Sequence, residues 1–224
     1  MPKNENTIHP VLLQLAPNAM STVGIVKAVK NIPATDTSYN VFLTLLINYA
    51  SGWVERTAGR RFGLARYQET AKGDGLQELV LEQYPIRVIH SITDTESGTV
   101  VDPKAYSFSK NGHVGVVYRD SGWSRRGYPT GLVPDHVLSK EYLLVDYTSG
   151  YILPKDADET TKAEWLLPSD LQGIIWQIVS MELDLADNGA DGLAAFSIAD
   201  VSWTFDKAPR QSWLDIIATY KEGA

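Results

Sequence analysis

Cysteine is absent from all 224 residues, which removes a disulfide framework, thiolate nucleophiles and any zinc site that needs sulfur ligands. Histidine is scarce, and His9, His90, His113 and His136 stand in separate contexts without the i, i+4 spacing and intervening glutamate of a zincin helix. Each reads as a surface or hairpin residue. No stretch approaches about 18 consecutive apolar residues, and the opening MPKNENTIHP has no apolar signal-peptide core, so neither a membrane span nor a secretory leader is expected. The phosphate-cradling GxxxxGK[ST], the dinucleotide GxGxxG and the hydrolase elbow GxSxG are all missing. Asp187-Asn-Gly-Ala-Asp-Gly192 has glycine at the third calcium-loop position and Ile198 where the bidentate glutamate belongs, so it reads as a helix-terminating loop. No catalytic, cofactor-binding or metal-ligating set emerges, and the chain is not expected to be an enzyme.

What is present is ordinary globular material: 44% hydrophobic and 21% charged residues. At this mass a folded chain exposes roughly 10,000 Å² against roughly 36,000 Å² unfolded, enough to bury a substantial core. The net charge of −7 argues against avid DNA binding, which needs cations to replace phosphate counterions. Lys155 to Asp191 holds two lysines against nine acids and so equals the whole net charge. A solvated helical face with flanking loops accounts for it. Arg56, Arg60, Arg61 and Arg66 gather near a predicted helix C-terminus, where cations oppose the dipole.

Residues 1–20 lack periodicity and carry Pro2, Pro10 and Pro17, which predicts an extended arm. Ser21 or Thr22 caps a short helix over Val23 to Lys30, closed by Asn31 and Pro33. From an N-cap at Thr35 or Asp36, the apolar residues Tyr39, Phe42, Leu43, Leu46, Ala50, Trp53, Val54 and Thr57 recur at helical spacing up to Gly59. Asn40, Thr44, Asn48, Ser51 and Glu55 form the opposite, polar face.

The texture then turns β-rich. Strands are predicted at Leu64 to Thr70, Gln77 to Leu81, Arg87 to Thr93, Tyr106 to Ser109, Val114 to Tyr118 and Tyr142 to Tyr147, roughly six in all. Lys72-Gly-Asp-Gly75 reads as a hairpin turn, and Glu96-Ser-Gly98 and Lys110-Asn-Gly112 as further turns. Asp120 to Pro134 reads as an exposed loop with Trp123 beside Arg125 and Arg126, suited to partner contact or to packing over its own sheet. Pro168 and Asp170 open a second long helix reaching about Ala186, with Leu171, Ile174, Ile175, Ile178, Val179 and Leu185 as its stripe and Trp176, Met181 and Leu183 widening it. Phe196 to Phe205 alternates as an extended segment, and Gln211 to Lys221 closes with a short amphipathic helix. The fold class is therefore α+β: two long helices and a C-terminal helix as a core (21–62 and 154–224), with a β-rich insertion (63–153) between the long helices.

The order of these elements carries a resemblance. Gly59, Arg60, Arg61 and Phe62 end the first long helix; Pro85 and Ile86 lead a strand; Val145, Tyr147, Gly150 and Tyr151 give V-x-Y-x-x-G-Y; Leu167, Pro168, Asp170 and Leu171 begin the next helix. This set resembles the head-tail connector, or head-completion adaptor, family of tailed bacteriophages, and Ile198 to Pro209 resembles the strand that members carry before a terminal helix. The first forty residues and the large β insertion exceed the compact family pattern.

The resemblance implies a homo-oligomeric ring, twelve-fold like the portal, seated beneath the portal vertex and joining head to tail. Its partners would be the portal protein and a downstream stopper or tail-completion protein, at the head–tail junction of a virion assembled in the host cytoplasm. DNA would pass through without specific binding; no membrane and no cofactor is implied. Within that picture Trp213, Ile217 and Tyr220 would contact portal, and Glu182, Asp184, Asp187 and Asp191 would face the channel. Two other readings are weighed: a carbohydrate- or receptor-binding module using Trp123, Tyr128 and other exposed aromatics of the β region, and a hydrolase with two acids in a deep pocket.

Overall fold

The computed structural model describes residues 14–109, 114–124, 141–187 and 210–221. The chain forms two compact units, 1–62 with 152–222, and 63–151. Among the described residues these contain four α-helices and two antiparallel sheets, an α+β fold.

In the helical unit, α1 (Val23–Val29) starts where the Thr22 hydroxyl accepts the Ile25 N–H at 3.2 Å. Asn31 then takes φ 55°, the left-handed conformation that asparagine tolerates, and the chain turns away. Lys27 is buried, its Nζ donating to the Asp36 carbonyl at 2.5 Å, which fixes the connection to the next helix. That helix, α2 (Asn40–Ala58), is N-capped by Tyr39 without a side-chain bond rather than by Thr35 or Asp36. Asp36 is used one turn early: its Oδ1 accepts the N–H and hydroxyl of Ser38 at 2.9 and 2.5 Å, which holds its carboxyl below the usual range. Gly59, at φ 74°, ends α2 as the sequence predicts.

The polar face of α2 is not a solvent face. Residues 14–20 run along it as a strap. The Asn48 amide accepts the Ala16 N–H at 2.7 Å and donates to the Gln14 carbonyl at 2.9 Å. Ser51 Oγ accepts the Met20 N–H at 2.9 Å, and Asn18 donates to Glu55 Oε2 at 2.7 Å. An irregular segment that is buried needs partners for its backbone groups, and the polar stripe supplies them. Ser51 is consequently buried, as are Ala19 and Met20; Thr44 is buried too, its hydroxyl donating to the Asn40 carbonyl at 2.8 Å.

After a connection that begins at Ile152, α3 (Ser169–Asp187) buries Leu171, Ile174, Ile175, Ile178, Val179 and Leu183. Leu185, expected within the stripe, is instead exposed on the last described turns of the helix. Gly173 sits inside α3, where a Cβ would meet nothing within 4 Å. Gly173→Ala is therefore expected to stabilise the unit by about 0.5–1 kcal/mol through helix propensity alone, read as a shift in the urea midpoint at unchanged slope. A loss of stability would show that the added methyl group collides. The unit closes with α4 (Gln211–Ala218).

The β unit has strands β1 (Ala65–Ala71), β2 (Glu78–Leu81), β3 (Ile86–Asp94), β4 (Thr99–Val100), β5 (Ser107–Phe108), β6 (Gly115–Tyr118) and β7 (Leu143–Ser149). They pair as β1-β7-β3-β4 and β2-β6-β5. The hairpin expected between β1 and β2 does not form. All seven residues of β1 pair with β7, and β2 pairs with β6. Lys72 to Gly75 carries the chain from one sheet to the other, stitched by Gly75 N–H to the Trp123 carbonyl and Trp123 N–H to the Leu76 carbonyl, both 2.8 Å. Alternating residues identify a strand but not its partner. The β3–β4 turn is as predicted, with Asp94 Oδ1 accepting from Glu96 and Ser97 and Gly98 at φ 69°. The turn at Asn111-Gly112 and the extended run from Phe196 to Phe205 lie outside the described residues.

Leu143, Val145 and Tyr147 alternate inward from β7 onto a core with Leu79, Leu81, Ile86, Ile92, Val117 and Trp123. On the other face of β7, Asp146 receives Arg66 as a fork, Nε to Oδ1 at 2.7 Å and Nη2 to Oδ2 at 2.6 Å. Arg66 thus stands on β1 and not in the helix-end basic group where the sequence placed it. These bonds, with Gln68 and His90 nearby, lower the Asp146 pKa to about 2. A folded-state pKa below the unfolded one means that the stabilisation is present above the ordinary carboxylate range and is lost as pH falls toward 2. Asp146→Asn should flatten the fall in stability over that acid interval; an unchanged acid limb would show that the pair contributes nothing.

Candidate interaction surfaces

The terminal helix was expected to offer Trp213, Ile217 and Tyr220 to a partner. In the folded unit all three are buried. Trp213 meets Trp53 edge-on at 6.3 Å and donates from Nε1 to Gln177 Oε1 at 3.0 Å. The Tyr220 ring lies 6.0 Å from Phe62, and its hydroxyl donates to the Asp170 carboxylate at 2.9 Å. Their apolar spacing is that of a helix packed on its own subunit. A portal contact through these three side chains would require α4 to leave this seat.

Of the acids expected to face a channel, Glu182 is half-buried, and burial raises its pKa. Asp184 is exposed and paired with Lys30 at 2.6 Å. Asp191 and the side chain of Asp187 lie outside the described residues. The helix-end arginines also separate: Arg60 is buried with its guanidinium 5.0 Å above the Phe62 ring, which sequence spacing alone does not reveal.

Trp123, expected in an exposed loop, is 1% exposed. Its Nε1 donates to the Val117 carbonyl at 3.2 Å, and Arg119 stacks 5.4 Å from its ring. An indole must find an acceptor when buried, and the neighbouring strand provides it. The glycan-binding platform thereby loses its central residue; Arg125, Arg126 and Tyr128 lie outside the described residues.

Concavities are found on both units. One, of about 530 Å³, is an open groove in the helical unit lined by Val29, Trp176, Met181, Leu185, Asp184 and Arg210, among others. The other, of about 370 Å³, lies in the β unit beside Pro103, Tyr106, Phe108 and Arg87. Arg87 is committed, its Nε donating to the Gly150 carbonyl at 2.9 Å. Neither concavity presents two carboxylates, the arrangement a hydrolase of the weighed kind needs. Among the described residues no cluster of three or more acids and histidines is placed to hold a metal ion, and no helix is long and apolar enough to cross a membrane.

A second surface is apolar without being concave. Register places Val80 opposite Val116 and Glu78 opposite Tyr118 on the outward side of the three-stranded sheet, while Leu79 and Val117 point to the core. Val80 is 61% exposed, and Leu76, Val114 and Tyr118 are exposed around it.

This arrangement, a helical unit interrupted by a β unit of two antiparallel sheets, is a fold found in the particles of a gene transfer agent, which are phage-like. The chain is similar to one in the neck of the native GTA particle computed with C12 symmetry, with a TM-score of 0.51 at 10% identity, covering 94% of this chain and 93% of that one. It is likewise similar to a chain of the virion of the native gene transfer agent particle, with a TM-score of 0.51 at 12% identity and 94% of each chain covered. At such identities the likeness is one of fold. No protein-family model and no curated protein matches the sequence.

Proposed function

We propose that this chain is a structural, non-enzymatic subunit of the neck of a tailed phage or phage-like particle, an adaptor that forms a ring under the portal and joins head to tail. The observation that carries the reading is the shared fold, end to end, with a chain in the neck of the native GTA particle. It agrees with the ordered sequence motifs and with a surface that offers no catalytic assembly among the described residues. The ring is taken as twelve-fold, following the portal. Its channel passes DNA, and the net charge of −7 per copy repels phosphate and so disfavours arrest of the genome in transit.

Within this reading, channel charge falls to acids that are free of cations. Asp184 contributes only where its pair with Lys30 opens, and Glu182 only in part because of its burial. Portal contact by the terminal segment falls to the outward side of α4, where Gln211, Ser212, Asp215, Ala218 and Thr219 are not buried, because Trp213, Ile217 and Tyr220 serve the unit's own core. A downstream stopper or tail-completion protein would take the opposite rim of the ring.

The test is native mass spectrometry with negative-stain imaging of the purified chain, alone and mixed with portal rings. A ring of subunits bound to portal is the expected result. A chain that stays monomeric and never binds portal overturns the adaptor reading.

A further inference from the structure

Resting on the ring reading, we infer that neighbouring copies contact one another head to tail, the groove of the helical unit on one copy receiving the outward face of the β2-β6-β5 sheet of the next. Both surfaces expose apolar side chains that the described residues leave uncovered. The groove has Val29 47% exposed and Leu185 36% exposed, with Trp176 and Met181 along its wall. The sheet face offers Val80 at 61% and Tyr118 at 37%, set side by side by strand register. Burying either removes apolar surface from water at no cost in unsatisfied backbone, because the strands that carry the face are already paired with each other.

Charge and shape select this pairing over self-contact. Arg210 stands on the groove wall, held 5.4 Å above the Trp213 ring, and among the described residues it has no ion pair. Glu78 stands beside Val80 on the sheet face and has neither hydrogen bond nor ion pair among the described residues. Asp184, the other charged residue lining the groove, is paired with Lys30 at 2.6 Å. One surface is thus concave with a free cation, the other flat with a free anion. Sheet against sheet would bring Glu78 toward its own copy, and groove against groove would leave both hollows unfilled. Contact between two different patches is heterologous, and repeated by a closing rotation it generates a ring rather than a dimer.

The absence of cysteine allows a direct test. Met181→Cys and Val80→Cys are made singly, and a short thiol-specific crosslinker is applied to each at high protein concentration and to their mixture. The expected result is a covalent dimer only in the mixture, and a ladder of closed oligomers from the double variant. Val80 is an exposed strand position, so its substitution leaves folding intact. A charge exchange supplies a second readout: Arg210→Glu and Glu78→Arg each weaken self-association, and the two together restore it. Linkage of Val80→Cys to itself would overturn the proposal in favour of a sheet-to-sheet contact. A Met181→Cys thiol shielded from maleimide in dilute monomer would overturn it by showing that residues 188–209 of the same chain cover the groove. Rings seen by imaging on portal but never linked between these positions would overturn it while leaving the adaptor function standing. Failure to form rings at all is the separate outcome that removes the function.

Discussion

Trp213→Ala is expected to lower the stability of the helical unit by about 3–5 kcal/mol, the range for an aromatic side chain deleted from a packed core. Trp213 is 2% exposed, contacts Trp53 edge-on, carries Arg210 on its face and spends its N–H on Gln177. α4 contains only eight residues, too few to persist alone, so losing this anchor should release the helix as a whole. Trp213→Phe keeps most of the buried area and gives up one hydrogen bond, for a loss of about 1 kcal/mol from that bond plus a smaller packing term. Chemical denaturation followed by far-UV circular dichroism checks both. A loss below about 1 kcal/mol for the alanine variant would mean that α4 is not docked, and would return its apolar residues to the role of a free arm seeking the portal.

The β unit should be most sensitive at Gly73. A Cβ there would stand 2.2 Å from the Ser124 carbonyl oxygen, 2.7 Å from the Tyr142 hydroxyl and 2.8 Å from the Trp123 carbonyl oxygen. Two of the three are backbone atoms, and the third is held by its own hydrogen bond to the Ser124 carbonyl, so none can swing aside cheaply. Gly73→Ala is expected to cost about 3 kcal/mol or more, since the connection between the two sheets must open to admit one methyl group. Gly98→Ala is the control: its φ of 69° strains an L-residue but nothing lies within 4 Å, so about 1 kcal/mol is expected. Thermal unfolding of the two variants side by side reads the difference. Equal, small losses would show that residues 72–76 are not seated against 123–124.

What was legible in the residues, and what was not, follows the range of the interactions. Helix α1 with its Thr22 cap and the glycine stop of α2 are local events within a few residues, and they stand where the spacing puts them. The seven strands fall close to six predicted segments; the missing one, β4, has two residues and no periodicity to show. Failures arise where a distant segment decides. Asn48 and Ser51 belong to a polar stripe that a helix would ordinarily turn to water, and the strap about 30 residues earlier makes it an inner face. β1 pairs with a strand whose register partners lie about 80 residues on, which no turn signal discloses. The sequence leaves Trp123 open between partner contact and packing over its own sheet and places Arg60 only at a helix end; in the folded unit each finds a carbonyl or aromatic partner. The candidate surfaces were less visible still. The apolar side of α4 is plain in the sequence, but whether it faces a partner or its own core is a tertiary fact, and Leu185 and Val80 become notable only once their neighbours have turned inward.

The strap and the anchors of α4 also order events in time. The β unit is contiguous and complete once residue 151 has been made, and its strand pairs can form on the emerging chain. The helical unit is not: Trp176 must reach Ser21 across 155 positions, and Tyr220 must reach Asp170 before the hydroxyl at its tip has a partner. A ribosome about two-thirds of the way through the message would therefore hold a finished β unit preceded by a half-built helical frame whose α2 still lacks the cover of α3 and α4. Such a nascent chain is a natural client for chaperones. Because Arg210, the N-cap of α4, completes the wall of the helical groove, a chain released before that helix is made would lack part of the joining surface inferred above, which would disfavour incomplete chains in the assembly.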